Sequence, residues 1–218
     1  MKHSWRQFLS PLTAGVRVLL SLLASAYLAA LLGRFTRTFD LYAWLALSPP
    51  AFWDGHVWQA VTYALLPAGF FDFVLNGVML AWLGVWLERV WSRHELWIYC
   101  LLSALGAGLA KVVLMPHDPF LMAGTTAMVF GLLAAWARLF GHERVDVMGV
   151  WPMSVRQAAL LFAVISLLGM LPCAGPVNAL VMLCGGITGW IYLAIRLKFI
   201  RAQPSQVVPN ERIGKLEL

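Results

Sequence analysis

Few side chains in this sequence can carry acid, base or nucleophilic chemistry, and their spacing says what each could do. Asp72 and Asn76 stand four residues apart, which puts them on one face of a helix. Glu88 lies further along the same apolar run, with Arg89, Arg93 and neighbouring loop backbone as candidate partners, and is expected to tie its helix to a cytoplasmic loop or an adjacent helix. Gly124-Thr125-Thr126-Ala127 opens another apolar run. The Thr126 hydroxyl becomes a nucleophile only if a neighbouring base takes its proton. The histidines are His3, His56, His94, His117 and His142. His117 is nearest to Thr126 along the chain and is the candidate base, although Pro116-His117-Asp118-Pro119 equally describes a surface turn. Cys100, Cys173 and Cys184 fall in apolar stretches without C-x-x-C spacing, so they indicate neither a zinc site nor a disulfide framework. No metal site is expected, and no cofactor motif is present.

The elements that must position these residues are membrane spans. The chain has 218 residues, 61% hydrophobic and 12% charged, with a mean hydropathy of +0.77. Soluble domains run near ~25% charged, so the composition excludes a soluble enzyme and a disordered tail. The net charge of +6 is dispersed between apolar runs rather than gathered in a patch, which argues against nucleic acid as a partner. A stretch of about 20 apolar residues crosses a bilayer. Six stretches qualify: Val16–Leu32, Phe70–Val90, Glu95–Leu114, Phe120–Phe140, Val155–Leu171 and Gly175–Leu197. Lys111 is expected to snorkel from the end of the third, and Pro172 to stop the fifth. Leu41–Leu66 is apolar too, but Pro49, Pro50, Asp54 and Gly55 interrupt it. It reads as a loop at the interface, where Trp44, Phe52, Trp53 and Trp58 suit the headgroup zone. Ala24-Ser25-Ala26 resembles a signal-peptide cleavage site, but the apolar run continues to Leu32, which favours an uncleaved helix.

Charge sets the expected orientation. Of 16 Lys and Arg residues, all but Arg34, Arg37 and Lys111 fall on the side of the N-terminus. The positive-inside rule then places both termini in the cytoplasm and the 35–69 loop outside. The expected organisation is a cytoplasmic segment 1–15, a membrane domain 16–197 and a flexible cytoplasmic tail 198–218. The expected setting is a plasma (inner) membrane.

The ordered polar residues resemble the rhomboid family of intramembrane serine proteases over roughly residues 40 to 190. His56-Val57-Trp58-Gln59-Ala60-Val61-Thr62-Tyr63 is similar to the family's W-R-x-x-T-y run. Asp72 and Asn76 stand at its second-helix His and Asn positions, and Gly84 to Glu88 keeps its G-x-x-x-E ending. Gly124-Thr125-Thr126-Ala127-Met128-Val129-Phe130-Gly131 lines up with G-x-S-G-x-x-f-G. Leu183-Cys184-Gly185-Gly186 lines up with H-x-G-G. The resemblance implies an all-α, six-span rhomboid-like bundle in which Gly84, Glu88, Gly124, Gly131, Gly185 and Gly186 are structural.

The departures from the family fall on its chemistry. Thr126 stands at the serine nucleophile and Leu183 at the histidine base. Removing one member of such a unit typically costs on the order of 10⁴–10⁶ in kcat. Asp72 replaces the histidine that, with asparagine, stabilises the developing oxyanion. An ionised carboxylate 4 Å from that charge would repel it by roughly 4 kcal/mol at an effective dielectric of 20, whereas a protonated one would donate to it. The expectation is therefore a pseudoprotease with no catalytic residue. It would bind transmembrane helices of client proteins, as the inactive relatives of rhomboids and the derlins do. Two alternatives stay open. One is a serine/threonine-type intramembrane endopeptidase built on Thr126. The other is a structural or transport subunit, although no internal repeat is visible.

Overall fold

The computed structural model describes residues 12–37, 39–147 and 151–202. Most of the expected 1–15 segment and of the 198–218 tail lies outside them. The first helix, α1 (Ala14–Thr36), ends where Arg37 turns into the left-handed region at φ 56°. The interrupted loop then folds into short helices, α2 (Leu41–Leu45), α3 (Pro49–Trp53) and α4 (Gln59–Thr62), with a 3-10 turn at Tyr63–Leu65. Asp40 caps α2 by accepting from the Tyr42 N–H at 2.9 Å, and proline opens α3, where a missing N–H costs nothing. Buried Gln59 ties the pieces together: it accepts from the Ser48 N–H at 3.1 Å and donates to the Ala43 carbonyl at 3.3 Å. Trp44, Trp53 and Trp58 remain exposed on this loop.

Four longer helices and a hairpin follow the loop. They are α5 (Phe70–Glu88), α6 (Arg93–Leu114), α7 (Thr126–Leu139), an antiparallel pair β1 (Arg144–Val147) with β2 (Trp151–Ser154), and α8 (Val155–Ala202). A capping box starts α6: the Ser92 hydroxyl accepts from the Glu95 N–H, and the Glu95 carboxylate accepts from the Ser92 N–H. The core centres on α7. Nearly every side chain from Ala127 to Trp136 is buried, against Tyr99 and Ala104 of α6, Leu80 and Leu83 of α5, and Val181 and Met182 of α8. A helix that is apolar all round belongs inside the bundle.

Glycines allow these helices to touch. A Cβ on Gly84 would sit 2.7 Å from the Val16 side chain of α1. One on Gly185 would lie 2.9 Å from the Ser103 carbonyl and 3.0 Å from that of Ala127. One on Gly131 would overlap the Ser103 hydroxyl. Such close backbone approach is how helices associate where lipid offers no hydrophobic drive.

The architecture is an all-α membrane bundle with one small hairpin that the sequence reading did not foresee. Among the described residues, four helices are long and apolar enough to cross a membrane: Ala14–Thr36, Phe70–Glu88, Arg93–Leu114 and Gly175–Lys198. Two more, Thr126–Leu139 and Val155–Gly169, are apolar but shorter. The expected span Phe120–Phe140 loses its first turn and a half, because Phe120 to Thr125 form a connection in which Met122 bridges to Leu47. The chain also bends at Gly175, with φ +75°, rather than at Pro172. Only a residue without Cβ takes that conformation cheaply.

Lys111 corrects a further expectation. Instead of snorkelling, it is buried. It pairs with Asp118 in the α6–α7 connection and donates to the Asn178 side-chain oxygen at 2.9 Å. A proline turn after α6 carries Asp118 back over the helix end, which supplies a counter-ion inside the protein. Burial alone would raise the Asp118 carboxyl, but hydrogen bonds from Lys111 and the Phe120 N–H outweigh it and hold the group below the ordinary carboxylate value.

Candidate functional site

The polar residues of α5 and α7 meet where the two helices begin. Asp72 and Asn76 share one face of α5, and the Asn76 side-chain N–H donates to Asp72 Oδ1 at 2.5 Å. Across the helix interface lies Thr126, the first residue of α7. Asn76 donates to its hydroxyl oxygen at 3.0 Å, and that hydroxyl donates to Asp72 Oδ1 at 3.3 Å. The other carboxylate oxygen accepts the Ala68 N–H at 3.1 Å, and the Thr125 N–H also bonds the carboxylate. Gly124 makes the close packing possible. Its φ of +125° turns the chain into α7, and a Cβ there would stand 3.3 Å from both Asp72 oxygens. All three side chains are half-buried, and the buried Thr125 hydroxyl has no hydrogen-bond partner among the described residues.

A closed network results, in which each proton has a destination. Asn76 spends its two N–H groups on Asp72 and Thr126, and Thr126 spends its proton on Asp72. Among the described residues, no histidine bonds to Thr126. His117 is exposed on the α6–α7 connection. His56 contacts the Ala51 carbonyl at 3.1 Å, and His142 lies against Arg156. His94 packs near Trp97, and His3 falls outside the described residues. Leu183 is half-buried in the apolar packing of α8. Two residues further on, Gly185 abuts the first turn of α7, and Gly186 would bring a Cβ within 3.3 Å of the Phe130 carbonyl.

Glu88, at the far end of α5, binds neither Arg89 nor Arg93 through any ion pair among the described residues. Its carboxylate instead accepts the Gly15 N–H at 2.7 Å, the Val16 N–H at 2.9 Å and the Thr13 hydroxyl. It thus caps the N-terminus of α1 from another helix, where free N–H groups and the helix dipole favour an anion. Buried Gly15 is what lets it in: a Cβ there would stand 2.7 Å from Glu88 Oε1.

The Ala68 and Thr125 donors and the Lys111–Asp118–Asn178 cluster are absent from the sequence-based expectations, whereas a bond from Glu88 to an adjacent helix is among them without its partner residues. Backbone donors leave no compositional trace. The Lys111–Asp118 pair did leave one, since two opposite charges flank a proline turn in a chain with few charges.

The family model described as "Eukaryotic integral membrane protein (DUF1751)" matches residues 14–212, which takes in every helix and both polar ends of α5. The chain belongs to that family. No curated protein matches the sequence. The DUF1751 match and the several apolar helices make this an integral membrane protein, in contact with the lipid bilayer.

Proposed function

We propose that this chain is a rhomboid-like pseudoprotease that holds transmembrane segments of client proteins and does not cut them. The observation that carries the reading is the bonding of Thr126. Its proton is directed at a carboxylate, which is a far weaker base than an alkoxide, so the proton stays on the threonine. Asn76, the candidate oxyanion donor, has both N–H groups already engaged.

The client surface in this reading is the seam between α5 and the first half of α8. The two meet through an edge contact of Trp82 with Phe162, ring centres 5.9 Å apart. Exposed apolar rows run along both helices at helical spacing: Phe71, Leu75 and Val78 on α5, and Leu161, Ile165 and Leu168 on α8. The same reading puts both termini in the cytoplasm of a plasma (inner) membrane, with α2 to α4 outside. It also assigns Asp72, Asn76, Thr126 and Leu183 as degenerate site positions rather than catalytic ones.

Photo-crosslinking side chains at Leu75 and Leu161 test the surface. Capture of transmembrane clients at both, and not at exposed Leu22 on α1, is expected. Fluorophosphonate labelling tests the chemistry. Robust labelling of the wild type that disappears in Thr126→Ala, together with cleavage of a transmembrane substrate, would favour the peptidase alternative and overturn this one.

A further inference from the structure

Neutral donors converge on Asp72 from two helix starts. Asn76 and Thr126 donate to Oδ1, and the Ala68 and Thr125 N–H groups point to the same carboxylate. A carboxylate offers about four lone-pair sites, so these donors fill it. No Lys, Arg or His among the described residues bonds to it. The surroundings are those of an anion-binding site rather than of an ion pair: backbone N–H groups, an amide, a hydroxyl and the positive ends of α5 and α7. Gly124 completes the enclosure by bringing bare backbone against both oxygens.

We propose that the junction of α5 and α7 is a cradle for a carboxylate-type oxyanion, and that Asp72 is its built-in occupant. The chain fills the site with its own side chain. An external carboxylate, or the oxyanion of an acyl-transfer intermediate, meets donors that are already spent. A cationic client residue likewise finds an acceptor whose lone pairs are taken, so client recognition runs through the apolar seam and not through Asp72. The cradle stands on donor geometry and does not depend on client binding.

Truncation empties the cradle and chemical rescue refills it. Asp72→Ala removes the carboxylate and keeps Cβ, so formate supplies the missing atoms. Asp72→Gly removes Cβ as well, so acetate does. The measurement is the melting temperature in detergent, titrated with formate or acetate against chloride at constant ionic strength. Wild type should respond equally to all three salts. Asp72→Ala should melt lower in chloride and regain most of the loss in a saturable manner with formate, as binding to the folded state requires. Asp72→Gly should prefer acetate. Adding Asn76→Leu to Asp72→Ala should abolish the formate response, because it removes a donor that formate needs. Identical behaviour in formate and chloride overturns the proposal, as does a formate response that survives Asn76→Leu. If Asp72→Ala does not survive purification in chloride, the yield of monodisperse protein from cells and buffers supplied with formate becomes the readout. A raised yield supports the cradle and an equal yield overturns it. Fluorophosphonate labelling is a separate readout, so failure here is distinguishable from failure of the pseudoprotease reading.

Discussion

Glu88→Ala is the substitution whose effect follows most directly from the structure. The wild-type carboxylate accepts from the Gly15 and Val16 N–H groups and the Thr13 hydroxyl, and it is half-buried between α5 and α1. Hydrogen bonds to a charged group contribute about 1.5–3 kcal/mol each, but three on one carboxylate do not add. The whole interaction is better compared with breaking a partly buried charged contact from one side, which costs about 3–5 kcal/mol. A protein of this size loses about 2–4 °C of Tm per kcal/mol, so Glu88→Ala should lower the melting point by roughly 6–20 °C. Tryptophan fluorescence during a thermal ramp in detergent reads this directly, since the chain has 11 tryptophans. Glu143→Ala, at an exposed position before β1, is the control and should shift Tm by no more than about 1–2 °C. Glu88→Gln should fall between them, because one side-chain oxygen can still accept. Equal, small shifts for Glu88→Ala and Glu143→Ala would refute the reasoning, since the α1 N–H groups would then be satisfied without Glu88.

Other outcomes follow from separate parts of the structure. Lys111→Met should destabilise strongly and Lys111→Met/Asp118→Asn much less than the two single changes together, because the double variant leaves no buried charge unpaired. Asp118 titrates below its unfolded value of about 3.9, so its contribution is fully present above that pH and is lost as pH falls through the lower folded value. The Tm gap between wild type and Lys111→Met should therefore hold from about pH 5 to 7 and narrow below about pH 4. Gly77 meets nothing within 4 Å of a built Cβ, so Gly77→Ala should stabilise α5 by about 0.4–1 kcal/mol in denaturation experiments. Gly131→Ala runs into Ser103 and should destabilise by about 1–3 kcal/mol. Reporter fusions at each terminus should both be active on the cytoplasmic side, and a C-terminal reporter active only outside would overturn that topology.

Much of the fold was legible in the sequence because bilayer physics is written locally. Sustained apolar runs marked α1, α5, α6 and the second half of α8, and Pro49, Pro50 and Gly55 marked the broken loop. The four-residue step from Asp72 to Asn76 already put them on one helix face. The features that the sequence does not show are non-local. Whether Lys111 snorkels or is buried depends on where the turn at Pro116 returns Asp118, and hydropathy cannot see that. The apolar run 120–140 hides a connection pinned by the Leu47–Met122 bridge, because a buried loop and a span have the same composition. The hairpin at 144–154 arises from pairing between strands of four residues, too short to show a pattern.

The site divides in the same way. Residue types alone determined that no histidine lies in the sixth apolar run and that a threonine stands where the resemblance calls for serine. Tertiary structure decided that Thr126, from a helix 50 residues later, closes a network with Asn76 and Asp72. It also decided that the Glu88 carboxylate goes to the start of α1, 73 residues away at Gly15, and not to the arginines beside it. The physical reason is common to both. A buried carboxylate is satisfied by whichever donors packing brings within about 3 Å, and in a helix bundle the free N–H groups at a neighbouring helix start compete successfully with flexible side chains nearby in sequence. Those free ends are a property of where helices stop and what they pack against, which only the assembled bundle specifies.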